Sequence, residues 1–282
     1  MKTKIKILNA LLLITVFFAG YLLSCSSINK PAVKTEKLSY IKTESSEFLT
    51  QLPIIKKFGY YKFDKSVRLT SRVISARLEL LNYLNALDET DIYTNYTPTD
   101  FEIQIIDRSF AKLPDYYKKI LDDKLIAIYF IKNFTGSGYT EYVIGEDNKV
   151  YLIMIINPDV FNYNISEWLT IKENTCFDRD DFNWKISIDC GSEYSGFLYI
   201  LLHEASHILD YTQNFTPYVE EDMTKIPGFR LSNKKFIDNI WLNYNIPCKP
   251  FDFNERTNIS FYGLSGAPKI KISDALQIYE QL

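Results

Sequence analysis

The chain has 282 residues and a formal net charge of -3, with 46% hydrophobic and 15% aromatic residues. This length and apolar content can bury a sizeable core, which excludes a disordered chain and a scaffold held by disulfides alone. The lysines are scattered and the net charge is negative, so nucleic-acid binding is not expected. Only two histidines occur, His203 and His207, and any histidine chemistry must use them.

The N-terminal region has the three parts of a secretory signal peptide. Early lysines precede an apolar run over residues 7–18, which Leu22-Leu23-Ser24-Cys25 follows. This ending resembles the lipobox of bacterial lipoproteins, in which a small residue precedes an acylated cysteine. The resemblance implies a signal peptide over residues 1–24 and lipidation at Cys25. It also implies export and anchoring to a membrane of the bacterial cell envelope, the outer membrane in a Gram-negative cell. The alternative is an uncleaved membrane helix, since residues 7–23 just reach the length of a span.

Two further regions follow the signal. Residues 25–48 are rich in Ser, Lys, Thr and Glu, which is typical of a flexible tether. Residues 49–282 are predicted to form a single water-soluble domain, because no second apolar stretch is long enough to span a membrane.

Three cysteines remain in this body. Outside the cytosol disulfides persist, and Cys176 and Cys190 are the favoured pair, closing a loop of about 15 residues. Connectivity cannot be read from sequence, and Cys248 could pair with either of the others.

Hydrophobic periodicity predicts the elements of the body. The predicted helices cover residues 67–87, 115–121, 195–211, 234–244 and 272–282. The predicted strands cover residues 101–106, 125–130, 139–144 and 150–156, the last two as a hairpin. Helices, then strands, then helices indicate an α+β fold.

The chemistry-bearing pattern is His203-Glu204-Ala205-Ser206-His207, inside the predicted helix 195–211. Residues four apart stack on one helix face, so both imidazoles can reach one ion. Zinc suits them, since it takes neutral imidazole nitrogen and tolerates an open position for water. Glu204 lies about 100° round the helix from His203, where it can act on water without being a ligand.

This motif, on a helix that follows strands, resembles the zincin metallopeptidases over residues 125–211. The resemblance implies one zinc ion held by His203 and His207, with Glu204 as the general base. It further implies a small twisted sheet packed on this helix, and an edge strand that holds an extended substrate backbone above the metal. The candidate edge strand is residues 150–156, with a plain core strand as the alternative. A helical part at the C-terminus would complete the domain.

The third zinc ligand is not fixed by the motif. The metzincin continuation needs Gly and His where this chain has Asp210 and Gln213, so that subclass is rejected. Among later carboxylates Glu255 is ranked first as the third ligand. Less favoured carboxylates are Glu220, Glu221 and Glu280. The alternative, that a chain cut short at its C-terminus lacks this ligand, stays open, and Asp210 either orients a histidine or is a surface acid.

The sequence therefore favours a membrane-anchored, zinc-dependent hydrolase, with a peptidase acting on a peptide or protein substrate as the first hypothesis. The second hypothesis is a non-catalytic surface lipoprotein, a degenerate or truncated zincin that acts as a binding module. The presence or absence of the third ligand distinguishes the two.

Overall fold

The structure is a computed structural model that describes residues 4–7, 52–145, 149–181, 183–213, 239–243, 246–252 and 269–281. The predicted tether, Cys25 and all of the predicted signal peptide except residues 4–7 lie outside these ranges. Within the described residues, no helix has the length and apolar character needed to cross a membrane.

The described residues form a mixed α+β fold with six helices. The helices are α1 (Leu78–Leu87), α2 (Asp100–Lys112), α3 (Asp115–Lys124), α4 (Ile165–Asn174), α5 (Gly196–Gln213) and α6 (Ala275–Gln281). The strands are β1 (Lys4–Ile7), β2 (Thr94–Tyr96), β3 (Leu125–Lys132), β4 (Gly138–Ile144), β5 (Val150–Ile156), β6 (Phe177–Asp178), β7 (Lys185–Ile188), β8 (Trp241–Asn243), β9 (Ile246–Pro247) and β10 (Ile270–Lys271). The predicted α+β class is confirmed at this level.

The chain divides into two compact units. The sheet unit comprises residues 32–163 and 194–214, and the second unit comprises residues 1–31, 164–193 and 215–282. The assignment of residues 49–282 to a single domain stays a prediction.

The sheet unit is built on four strands in the order β2-β3-β5-β4. Strands β3 and β5 are parallel, whereas β4 runs antiparallel to β5 with Tyr139 opposite Ile155, which confirms the predicted hairpin. Residues 125–131 and 152–156 are buried without alternation, as expected for strands covered on both faces. The choice of residues 150–156 as edge strand was wrong, because β5 lies between β3 and β4, and the two edges of the sheet are β2 and β4.

Two predicted elements of the sheet unit differ in the structure. The helix over 67–87 is interrupted, because Ile74 donates its backbone N–H to Ile128 of β3 and the chain runs beside that strand before α1 begins. Residues 101–106 are helical and belong to α2. A capping box decides this, since the Thr99 side chain accepts from the Glu102 backbone while the Glu102 side chain accepts from the Thr99 backbone.

The second unit contains α4, α6 and short strand pairs, among them β1 with β7 and β6 with β10, both parallel. The helix predicted over 272–282 is confirmed from Ala275 onward. The prediction of a helix over residues 234–244 was wrong for the described part of that range, since residues 241–243 form the strand β8.

The predicted disulfide between Cys176 and Cys190 is absent from the structure. Cys176 is 5% exposed and packs in an apolar cluster with Phe177, Ile186 and Ile278. Cys176 thus belongs to a buried cluster of the second unit, whereas Cys190 is only partly buried and follows β7.

Candidate functional site

Helix α5 carries the whole predicted motif within the sheet unit, as expected from the periodicity. Its buried residues recur at three and four positions, which places one face of the helix against α2, α3, β4 and β5. Phe197 anchors the start of this face by stacking on Phe161, with the ring centroids 5.3 Å apart. Along the same face Glu204 occupies a position where the pattern otherwise places Leu, Ala and Ile.

The two histidines lie on the partly exposed flank of α5. Their ring centroids are 5.0 Å apart and the rings are nearly perpendicular, while the ring of Tyr199 lies 6.1 Å from that of His203. The two imidazoles therefore lie one helical turn apart, close enough for a single metal ion to contact both.

Both imidazoles are neutral at neutral pH. Burial lowers the pKa of His203 to about 3, helped by the neighbouring His207, and burial alone lowers the pKa of His207 to about 4. Because a metal ion binds the neutral form of imidazole, no proton has to be displaced at neutral pH. The pair therefore fits zinc as two nitrogen ligands.

Glu204 is 1% exposed, so its carboxyl group is enclosed by protein. Burial raises the pKa of Glu204 to about 8, against the opposing effect of a hydrogen bond from Thr140. The Thr140 hydroxyl donates to Oε2 of Glu204 at 2.6 Å and also lies 3.3 Å from the Glu204 carbonyl oxygen. A carboxyl group in such surroundings can hold or release a proton near neutral pH, and a cation nearby would favour its ionised form.

Gly138 lies beside the same carboxyl group. A Cβ atom at position 138 would come within 2.5 Å of Oε1 of Glu204, so a side chain at this position has no room. Gly138 and Thr140 are two residues apart on β4 and therefore face the same side of the sheet. The carboxyl group of Glu204 thus rests on one face of this strand.

Neither Gly138 nor Thr140 was identified from the sequence. They lie more than sixty positions before Glu204, and no spacing rule connects a strand residue to a helix residue so far along the chain. The available signal was the alternation of β4, which assigns positions 138 and 140 to one face. It does not say which helix covers that face.

The third ligand is not present among the described residues, where no group of three His, Cys, Asp or Glu side chains could hold a metal ion. The first candidate, Glu255, lies outside the described ranges, as do Glu220 and Glu221. Glu280 is an exposed residue of α6. Asp210 lies on α5 one turn after the motif, and its role in orienting a histidine stays a prediction.

The chain was compared with known families, curated proteins and solved structures, and none of them matches it. The candidate site therefore rests on the geometry of α5 and β4.

Proposed function

We propose that this protein is an exported, lipid-anchored, zinc-dependent hydrolase of the zincin type, with a peptide or protein as its substrate. One observation carries the proposal: two neutral imidazoles lie 5.0 Å apart on the flank of a helix whose next residue after His203 is a fully buried glutamate. A carboxyl group that is only 1% exposed is costly to bury, and such groups cluster at functional sites. A helix needed only for packing would have an apolar residue at this position.

In this proposal His203 and His207 hold the metal and Glu204 moves the proton. Zinc, when bound, supplies a Lewis acid that polarises a carbonyl group and lowers the pKa of a water molecule beside it. Glu204 accepts the proton of that water through its carboxylate and passes it to the leaving amine. The strand held against Glu204 is β4, and its edge position makes it the element that would align an extended substrate, in place of residues 150–156.

The alternative function is a non-catalytic surface lipoprotein that binds a partner. One observation favours it: a separate groove of about 430 Å³ is lined by aromatic, lysine and aspartate side chains. The lining residues are Phe63, Asp64, Lys65, Asp123, Lys124, Lys149 and Tyr151. In this case the motif on α5 would be a remnant of a zincin.

Zinc binding tests the metal site. The wild-type protein should carry about one zinc ion. His203→Ala and His207→Ala should each lower the affinity for zinc strongly, because a site with few protein ligands loses a large part of its coordination shell when one ligand is removed. Gln213→Ala, at an exposed position of the same helix, is the matched control and should bind as wild type does. Full zinc occupancy in the double histidine variant would reject the site.

Glu204→Gln separates hydrolysis from binding. Glutamine is close in size and can still accept the Thr140 hydrogen bond, so fold and zinc content should be kept. Hydrolysis of a peptide library should fall by about 10²- to 10⁴-fold, the range that general-base catalysis supplies. A wild-type protein that binds zinc but cleaves no peptide in a broad library would favour the non-catalytic alternative.

Anchoring rests on the lipobox resemblance and is tested at Cys25. Cys25→Ala should abolish lipid labelling and release the protein from the membrane fraction, because acyl chains rather than positive charge would hold it there. Labelling that persists in this variant would reject lipidation at Cys25.

A further inference from the structure

Strand β4 determines how the carboxyl group of Glu204 is oriented. The hydrogen bond from Thr140 to Oε2 is 2.6 Å long, at the short end of the range for hydroxyl donors and typical of a strong bond to a carboxylate. Thr140 is 6% exposed, so water does not compete freely for this bond.

The second carboxyl oxygen of Glu204 packs against Gly138. Oε1 of Glu204 occupies the space that a Cβ atom on residue 138 would need, as do the Cγ and Cδ atoms, each 2.9 Å from that position. One oxygen is therefore fixed by a hydroxyl donor and the other lies over a residue with no side chain. Rotation of the carboxyl group away from this position would break the bond to Thr140.

The opposite face of β4 is itself anchored. The next residue, Glu141, is 3% exposed and receives hydrogen bonds from the hydroxyl groups of Tyr83 and Tyr139, at 2.6 and 2.9 Å. Lys56 pairs with it at 3.0 Å. A strand fixed on one face is a rigid support for a group that rests on the other, and catalytic groups require such support.

We propose that Thr140 is a positioning residue, whose hydroxyl group fixes the orientation of the Glu204 carboxyl group against β4. The proposal rests on the proposed function, in which Glu204 is the general base. A threonine needed only for packing could be replaced by valine, which has the same shape and a high preference for strands. The hydroxyl group is the part that acts on Glu204.

The test compares Thr140→Val, which removes the hydroxyl group and keeps the shape, with Thr140→Ser, which keeps the hydroxyl group. Thr140→Ala is a second variant without a hydroxyl group, for use if the valine variant does not fold. Thr212→Val is the matched control, because the Thr212 hydroxyl group donates to the backbone carbonyls of Ile208 and Leu209 on α5. All variants are studied in the full chain.

The first measurement needs neither zinc nor substrate. The infrared carboxyl band of Glu204 in the zinc-free protein is assigned by subtracting the spectrum of Glu204→Gln. It should move in Thr140→Val and Thr140→Ala and stay in place in Thr140→Ser and Thr212→Val. A band unchanged in Thr140→Val would overturn the proposal.

The second measurement separates positioning from stability. With Zn²⁺ at saturation, kcat of Thr140→Val should fall by about 10- to 100-fold while KM and zinc content stay constant, since only part of the general-base contribution of about 10²- to 10⁴-fold is lost. Thr140→Ser should restore most of kcat. Equal losses in both variants would mean that residue 140 acts only through packing, and would overturn the proposal. A wild-type protein without zinc or hydrolysis would reject the proposed function, whereas the infrared band would still show whether Thr140 holds Glu204.

Discussion

Gly138 and Glu204 approach so closely that a Cβ atom on the glycine would lie 2.5 Å from Oε1 of the glutamate. Real Cβ atoms do not come this near to another heavy atom, so the packing of β4 on α5 requires a residue without a side chain. The reason is space and not backbone conformation, because Gly138 is not among the residues with positive φ. Its neighbour across the interface is the carboxyl group of Glu204, a residue that is 1% exposed.

Gly138→Ala should destabilise the protein by about 1–3 kcal/mol, the usual cost of an added methyl group in a packed core. Urea unfolding measures the change. Gly59→Ala is the control, because a Cβ atom there meets nothing within 4 Å. That substitution should be neutral or slightly stabilising, since it reduces the freedom of the unfolded chain. Similar results for the two variants would show that Glu204 does not occupy this space.

The buried pair on the other face of β4 gives the second prediction. Lys56 and Glu141 have side chains only 13% and 3% exposed, so each charge depends on the other for compensation. Glu141→Gln should cost about 3 kcal/mol or more, because it leaves the ammonium group of Lys56 enclosed without a counter-charge. Urea unfolding of Glu141→Gln, Lys56→Met and the double variant gives the coupling energy.

A surface ion pair serves as the control for that cycle. Arg68 and Asp107 lie 3.5 Å apart with side chains 80% and 45% exposed. Water and salt screen such pairs, so their coupling should be far smaller than that of Lys56 with Glu141. If both cycles were additive, the buried pair would contribute nothing specific to the stability of β4.

Stability of the second unit should depend on pH through Glu173. Burial raises the pKa of this carboxyl group from 4.5, while the hydroxyl group of Tyr279 donates to it and lowers the pKa in part. The pKa of Glu173 is higher in the folded state than in the unfolded state. Its contribution to the free energy of unfolding is therefore fully present at pH values below the unfolded-state pKa, and it is lost as the pH rises through the folded-state pKa. Ionisation of Glu173 therefore destabilises the folded state at neutral pH.

Glu173→Gln should remove this dependence while leaving an acceptor for Tyr279. The variant should match the wild type in urea unfolding at about pH 4 and exceed it at about pH 7. Tyr279→Phe should have the opposite effect, since it removes the donor that favours the carboxylate. Parallel stability profiles for Glu173→Gln and wild type would contradict the prediction.

The sequence predicted the elements with strong periodicity. Helix α5 follows from apolar residues at three and four positions, and β3, β4 and β5 follow from apolar runs bounded by Gly and polar residues. These signals are local, so they are readable without the fold. The error at α2 was also local, because Thr99 and Glu102 form a capping signature that outweighs the alternation of residues 101–106.

What the sequence did not predict depends on contacts between distant residues. The break in the helix over residues 67–87 comes from pairing of Ile74 with Ile128, fifty-four positions later. The same holds for Thr140, whose importance depends on which helix covers β4. The residue types and spacing of the motif on α5 could therefore be interpreted from the sequence. Its contacts with Gly138 and Thr140 could be found only in the structure.

Arg72 gives the last prediction, because a single buried guanidinium group joins three segments of the sheet unit. Arg72 is only 4% exposed, and its guanidinium carbon lies 5.1 Å from the centre of the Phe63 ring. It donates to the backbone carbonyl oxygens of Lys65, Val67, Leu121, Asp122 and Leu125. Two of these carbonyls, those of Leu121 and Asp122, lie in the last turn of α3.

Arg72→Lys should destabilise the sheet unit by about 2–3 kcal/mol, since hydrogen bonds to charged groups contribute about 1.5–3 kcal/mol each and an ammonium group cannot span the set. Urea unfolding measures the loss, and hydrogen exchange at the end of α3 should speed up with it. Arg77→Lys is the control, because Arg77 is exposed, donates to a single backbone carbonyl, that of Tyr60, and lies 4.8 Å from the centre of the Tyr60 ring, a contact that lysine can also make. That change should stay within about 0.5 kcal/mol. Equal stability of the two variants would mean that charge alone, without the planar fork of arginine, holds α3 to the start of β3.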